Sequence, residues 1–243
     1  MTAPDWFAVV DGTWPAASYR RLGPATLREG RGGGSRVSAT TIEGAFTEAD
    51  LDAAEQAMDA MGQRRIFQIR PGDDALDAAL EARGHAVLDP VNIYSCPVDT
   101  LCDIQIPRVT VLTVWEPLAI MREMWAAGGI GPERIEVMKR AEGPKTGLLG
   151  RLHDKPAGVA FAAIHDGVVM VHAVEVVPFQ RRKGMAQWFL RAAAFWGRDN
   201  GAHTLSVVCT VANTPANALY SGMGMSKVGH YHYRHMPQEE SRT

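Results

Sequence analysis

Apolar and polar positions along this chain fall into two successive rounds of strand and helix patterning. The first some thirty-five residues, rich in Trp, Pro and Gly, read as irregular. Arg36–Ile42 then reads as a strand. Thr47 is placed as an N-cap, with Glu48 and Asp50 in the first turn of a helix whose apolar face is Leu51, Ala54, Met58 and Met61. Gly62 stops it. Ile66–Ile69 follows as a strand, Asp73–Arg83 as a helix closed by Gly84, and Ala86–Tyr94 as a strand. The run Gly32-Gly33-Gly34 reads as a hairpin loop, because a phosphate-binding loop needs a helix directly after it and Ser35–Ile42 looks extended.

Thr100–Pro107 reads as a link into the second round. Val109–Val114 predicts a strand and Pro117–Ala127 a helix ended by Gly128 and Gly129. Thr146–Leu152 and Pro156–His165 read as strands, and Asp166-Gly167 turns the chain into a third, Val168–Val177. A helix from about Lys183 to Asp199, a strand His203–Val211, a helix Pro215–Ser221 and a strand Lys227–His235 complete a β-α-β-β-β-α-β-α-β order. The polar tail after Pro237 is expected to fray. Alternating elements of this kind imply an α/β layer structure, and the two rounds suggest an N-terminal α/β half, residues 1–104, and a second domain, residues 105–243.

Composition narrows the function without naming it. Of 243 residues, 46% are hydrophobic and 21% charged, ordinary for a globular chain able to bury a core. The formal net charge of -2 offers no basic field to draw nucleic acid or an anionic membrane. Cys96, Cys102 and Cys209 have no metal-ligand spacing and cannot all pair with one another. No basic segment followed by an apolar run opens the chain, and no apolar stretch has membrane-spanning length. A soluble, cytoplasmic protein is expected.

The most informative stretch is Val174-Glu175-Val176-Val177-Pro178-Phe179-Gln180-Arg181-Arg182-Lys183-Gly184-Met185-Ala186. A β-branched strand ends at Pro178, a basic turn follows, and Gly184 and Ala186 open an apolar helix. Unpaired amides at a positive helix end suit a phosphate, and Gly184 allows close backbone approach. A surface turn with solvated basic residues is the competing reading of the spacing.

Arg181-x-x-Gly184-x-Ala186 resembles the pyrophosphate-binding motif of the GNAT acetyltransferases. Asn213-Thr-Pro-Ala216-Asn217-Ala218-Leu219-Tyr220-Ser-Gly-Met-Gly224-Met225 is similar to their second signature, with Met225 in place of the common aromatic. The two occur in order, separated by one helix and one strand, and the resemblance covers Val109–His235. It implies a GNAT-type mixed central sheet flanked by helices, with acetyl-CoA as co-substrate and no metal. It further implies that Val168–Val177 and His203–Val211 run parallel and splay. The pantetheine arm would then pair near Val174 and Val176, and the pyrophosphate would meet Arg181, Arg182, Lys183, Gly184, Met185 and Ala186. Asn213, Asn217 and Tyr220 would form the other wall.

The resemblance makes Tyr220 the general acid for the departing thiolate and assigns an oxyanion donor to amides near Val174. His172, on the face of Val174 if strand alternation holds, is the first choice for the base. Glu175 is the rival, on the opposite face unless a bulge intervenes. His230, His232 and His235 read as a polar face rather than a metal site. The expected activity is transfer of acetyl to a primary amine, on a small molecule or a peptide N-terminus, by direct attack in a ternary complex. The alternative is a non-catalytic acyl-CoA-binding regulator; a nucleic-acid binder using Arg181–Lys183 is disfavoured by the charge. Between Arg36 and Ile66 no pyrophosphate motif occurs, so the first half is expected to be a degenerate GNAT-like or accessory domain, as in tandem members. Leu80–His85 echoes Leu219–Gly224, with Glu81 where Tyr220 stands. That half is expected to help shape an acceptor pocket, with Trp14, Arg28 and Arg36 as candidate contacts.

Overall fold

The computed structural model describes residues 3–237, so the tail expected to fray lies outside the described residues. Near its start the chain is helical rather than irregular. Helix α1 spans Trp6–Thr13, and the Asp5 side chain caps it by accepting from the Phe7 and Ala8 amides. One carboxylate that satisfies two orphan donors explains how so short a segment becomes a helix.

Packing divides the chain into two compact units, and not at one point in the sequence. The larger holds the residues up to Pro15 with Ile93–Cys209 and Asn213–Gly229. The smaller holds Ala16–Asn92, Thr210–Ala212 and the residues from His230 on.

In the smaller unit, β1 (Ser18–Leu22) and β2 (Ala25–Glu29) form an antiparallel hairpin, and β2 pairs antiparallel with β3 (Thr41–Ile42). The Gly32–Gly34 run lies in the connection from β2 to β3 and is not followed by an α-helix. The strand expected over Arg36–Ile42 shrinks to its last two residues. Ser35–Val37 is a 3-10 turn, closed by the Val37 amide on Gly34 and the Ala39 amide on Ser35. The Arg28 guanidinium donates to the Ala39 carbonyl, and Thr40 bridges Phe67. Helix α2 (Glu48–Ala60) starts at Thr47 with a capping box to Asp50. Then follow β4 (Ile66–Ile69), α3 (Asp74–Ala82) and β5 (Ala86–Pro97). β4 pairs antiparallel with the end of β11 (Ser226–His235), Ile69 opposite His232. Leu51, Met58, Phe67, Leu76 and Leu80 are buried at the core of this unit.

The larger unit continues through α4 (Val98–Leu101), β6 (Val111–Val114), α5 (Ala119–Ala127) and α6 (Pro132–Arg140). Helix α6 has no counterpart in the expected order. It begins with Pro132 at a position where a missing amide costs nothing, and ends on Lys139 and Arg140, which suit its dipole. Strands β7 (Lys145–Leu152), β8 (Lys155–His165) and β9 (Val168–Val176) form an antiparallel meander with β6 at its outer edge. Helix α7 (Met185–Asp199) crosses to β10 (Thr204–Thr210), which pairs parallel with β9, and α8 (Thr214–Gly222) leads into β11. The sheet is mixed and flanked by helices, the GNAT-type arrangement. Its core holds Leu148, Val169, Val171, Phe189, Leu190, Leu205 and Val207.

Helices α3 and α8 show the same local course. Each has nine residues and ends at a glycine of positive φ, Gly84 at 86° and Gly224 at 80°. The next amide, of His85 or Met225, returns to the carbonyl of Leu80 or Tyr220. The echo between these segments is therefore one residue out of step with the expected alignment: Leu80, not Glu81, stands where Tyr220 does.

Candidate active site

The site is built around an interruption in β9. Phe161 pairs with His172 and Val159 with Glu175, so Ala173 and Val174 together oppose Ala160. Such a bulge reverses the side-chain alternation beyond it. Ala173 takes φ 51°, and its carbonyl accepts from Trp125 Nε1 at 2.8 Å. The expectation that His172 and Val174 share a face is therefore overturned. Val174 and Val176 turn to the side of the main core, whereas Glu175 comes round to the side of His172. Pairing of β9 with β10 runs only from Val168–Thr204 to Val171–Val207. Beyond Val171 the two parallel strands part, as the splayed arrangement requires.

Into this opening the glycine turn presents the start of α7. Pro178–Gln180 forms a 3-10 turn, Arg182 has φ 62°, and Gly184 has φ 83°. The left-handed conformation is open to glycine without steric cost. No side chain caps α7, so its first amides have no partner from a capping residue. The three basic residues of the turn behave differently. Arg181 folds back, its Nε donating to the Val176 carbonyl at 2.9 Å and its Nη2 to Glu175 at 3.0 Å. Arg182 is exposed at the cleft. Lys183 donates to Gln180 Oε1 at 3.1 Å and is not part of the cleft lining.

The opposite wall is the first turns of α8. Asn213 caps it, its Oδ1 accepting from the Ala216 amide. Asn217 does not line the cleft. It accepts from the Tyr94 hydroxyl at 3.0 Å and donates to the Asn213 carbonyl at 2.7 Å. Tyr220 is buried yet reaches the lining, with the Tyr94 ring 5.7 Å away. Burial, and the neighbouring Cys209 thiol, raise the Tyr220 hydroxyl well above the ordinary phenol range, so it keeps its proton. Burial likewise pushes the Cys209 thiol up to about 11.

A cleft of about 820 Å³ results, lined by Val174, Val176, Arg181, Arg182, Gly184, Met185, Ala186, Asn213 and Tyr220. Gln187, Pro215, Ala216 and Leu219 complete it and were not singled out from sequence, although their places one turn along α7 and α8 imply them. His172 lies elsewhere. It is buried, with Nε2 2.9 Å from Thr13 Oγ1 and the Trp14 ring centred 5.0 Å away. Because the Thr13 hydroxyl donates to the Val9 carbonyl, His172 Nε2 carries the proton and donates to Thr13. Glu175 is half-buried, paired with Arg181, and packs where a side chain on Gly128 would collide with it. In the smaller unit His232 contacts Asp77 and His235 contacts Arg64.

A chain with this mixed sheet, parted strands and uncapped helix start is matched by a known family. Residues 118–225 match the Acetyltransferase (GNAT) family, a family of acyltransferases. No curated protein matches the sequence. Among solved structures, a GCN5-related N-acetyltransferase from Kribbella flavida superposes with a TM-score of 0.67 at 20% identity, over 94% of this chain and 93% of that one. A functionally unknown conserved protein from Staphylococcus epidermidis ATCC 12228 gives 0.66 at 12% identity, over 90% and 93%. A tandem GNAT protein from the clavulanic acid biosynthesis pathway gives 0.61 at 12%, over 95% and 89%. At these identities the likeness is one of fold. None of the helices among the described residues is long and apolar enough to cross a membrane.

Proposed function

We propose that the protein transfers acetyl from acetyl-CoA to a primary amine, on a small molecule or a peptide N-terminus, by direct attack in a ternary complex. The observation that carries this reading is the cleft that joins an uncapped helix start, the parted edge of β9 and the Tyr220 ring. The pyrophosphate meets the amides from Arg182 to Ala186, with Arg182 adding charge. The pantetheine arm lies along Val174 and Val176 as an added strand. An amide near Val174 polarises the thioester carbonyl, and Tyr220 protonates the departing thiolate. Attack forms the C–N bond, the C–S bond breaks, and the amine's proton leaves to a base. What supports Glu175 over His172 as that base is access. His172 Nε2 is committed to Thr13 within the core, whereas the Glu175 carboxylate is partly reachable and could take the proton through a water.

We further propose that residues 105–243 are the catalytic domain and 1–104 a degenerate GNAT-like domain. What supports the second part is the repeated order β3–α2–β4–α3–β5 and β9–α7–β10–α8–β11, and the matching ends of α3 and α8. A cytoplasmic setting fits the sequence composition.

Steady-state acetylation over an amine panel tests the activity. Tyr220→Phe is expected to lower kcat about 10²-fold, with acetyl-CoA binding retained. An unchanged kcat would remove Tyr220 from the mechanism. Tight acetyl-CoA binding by the wild type without turnover on any amine would favour the regulator instead.

A further inference from the structure

We propose that the C-terminal end of α5 positions the Glu175 carboxylate, with Trp125 and Gly128 as positioning residues for the reaction. The inference rests on the reading of Glu175 as base. Trp125 is fully buried, and its Nε1 donates to the Ala173 carbonyl at 2.8 Å. Ala173 is a non-glycine residue at φ 51°, a conformation in which Cβ crowds the backbone. It lies where Ala173 and Val174 share one partner on β8, so the ladder is broken at that point. The indole N–H gives the carbonyl a partner from outside the sheet. It thereby holds the bulge that brings Glu175 round to the side of His172. The carbonyl of Trp125 in turn accepts from the Gly128 amide at 3.0 Å and the Ile130 amide at 2.8 Å. Both contacts of α5 with β9 therefore belong to one closed turn.

The two glycines that follow α5 have different reasons to be glycine. Gly129, at φ 79°, takes the left-handed position that ends the helix. Gly128 has φ -88° and ψ 8°, which any residue can adopt, so its backbone does not require glycine. Space does. A Cβ on Gly128 would stand 2.5 Å from Glu175 Cγ and 2.7 Å from Glu175 Oε2. These atoms belong to a side chain, so a larger residue displaces the carboxylate and leaves the helix end in place. Gly158 is the contrast, because a Cβ there would stand 2.6 Å from the Glu175 backbone oxygen. Arg181 Nη2 donates to the other carboxylate oxygen, Oε1, at 3.0 Å. Glu175 is thus set by the bulge behind it, by Arg181 and by the absence of a side chain at Gly128. Its side chain keeps 19% of its surface exposed, and Gly128 is itself exposed, so the seated carboxylate remains open to solvent.

Steady-state kinetics on the amine panel, with acetyl-CoA titration and thermal unfolding of the same variants, tests this. Gly128→Ala is expected to lower kcat about 10- to 100-fold, with acetyl-CoA affinity unchanged. Trp125→Phe keeps a buried ring and loses the donor, and should lower kcat about tenfold. With Glu175→Gln in place, Gly128→Ala should cost no further kcat, whereas a merely structural role would cost the same factor in both backgrounds. Thermal unfolding gives a readout that needs no turnover. Alanine for glycine at a compatible φ ordinarily stabilises. Gly128→Ala should therefore raise the unfolding temperature when Glu175→Ala has removed the side chain, and fail to do so when Glu175 is present. An unchanged kcat in Gly128→Ala, beside a loss in Glu175→Gln, would overturn the positioning role alone. An unchanged kcat in Glu175→Gln would remove the base assignment, and the proposal with it. An additive thermal cycle would overturn the proposal whether or not any amine is acetylated.

Discussion

Helices α2 and α7 occupy the same place in two similar runs of elements, and their N-termini are opposite in chemistry. Each follows a strand and leads into another. β9 and β10 are parallel, and next to β3 Thr40 bridges Phe67 of β4 in parallel sense. The start of α2 is closed: Thr47 Oγ1 accepts from the Asp50 amide, Asp50 accepts from the Thr47 amide, and Glu48 adds a second acidic group. An anion arriving there would meet carboxylates and capped amides. At α7 a left-handed Gly184 takes the cap position, no side chain reaches the amides, and Arg181, Arg182 and Lys183 precede it. A helix dipole is common to both; whether it serves a ligand depends on the capping residue. The α3 and α8 segments repeat the contrast, with Leu80 filling core where Tyr220 reaches a cleft.

The contrast can be broken or sharpened by substitution. The largest expected effect is at Leu80. Leu80→Ala should lower stability by about 2–5 kcal/mol, because a fully buried side chain is lost. Urea unfolding would measure it, and a loss well under 1 kcal/mol would mean that Leu80 is not the packing counterpart of Tyr220. Removing the cap of α2 should cost less: Thr47→Ala is expected to reduce stability by about 1 kcal/mol. It should leave acetyl-CoA affinity unchanged; a gain or loss of affinity would place the cofactor at the wrong helix. The smallest effect concerns His85. Its ring nitrogens are buried without hydrogen-bond partners, Nε2 lies 3.6 Å from Glu55 Oε1, and burial is the main cause of its lowered pKa. The unfolded chain therefore binds the proton more readily than the folded one. The stability His85 contributes is fully present above about pH 6.5 and is lost as pH falls through the lower folded value. His85→Leu should flatten that step in unfolding measured between neutral and mildly acid pH. An identical pH profile would contradict the assignment.

Much of the cleft between α7 and α8 is legible in the sequence because it rests on local backbone chemistry. Gly184 after a basic turn, Asn213 as a cap and Tyr220 on the following helix each act where their neighbours in sequence put them. Less legible is what depends on distant contacts. The bulge at Ala173 carries no glycine to mark it; it is held by Trp125, far away in sequence, and it exchanges the faces of Val174 and Glu175. Nor does spacing reveal that Arg181 folds back onto Val176, or that Asn217 answers Tyr94. Helices α1 and α6 escape periodicity because each is short, and each is started by a single residue, Asp5 or Pro132. The strand expected from Arg36 fails because Ser35–Val37 closes into a 3-10 turn, with the Ser38 and Ala39 amides bonded back to Ser35.

In the proposed mechanism the uncapped start of α7 holds the cofactor's pyrophosphate. Calorimetric titration of acetyl-CoA into the wild type and into Gly184→Glu tests it most directly. The substitution sets bulk and negative charge at a left-handed position that faces the cleft. Micromolar binding by the wild type, weakened about a hundredfold or more in the variant with its circular dichroism retained, is the predicted result. Absent binding to the wild type, or equal binding to both proteins, would contradict it.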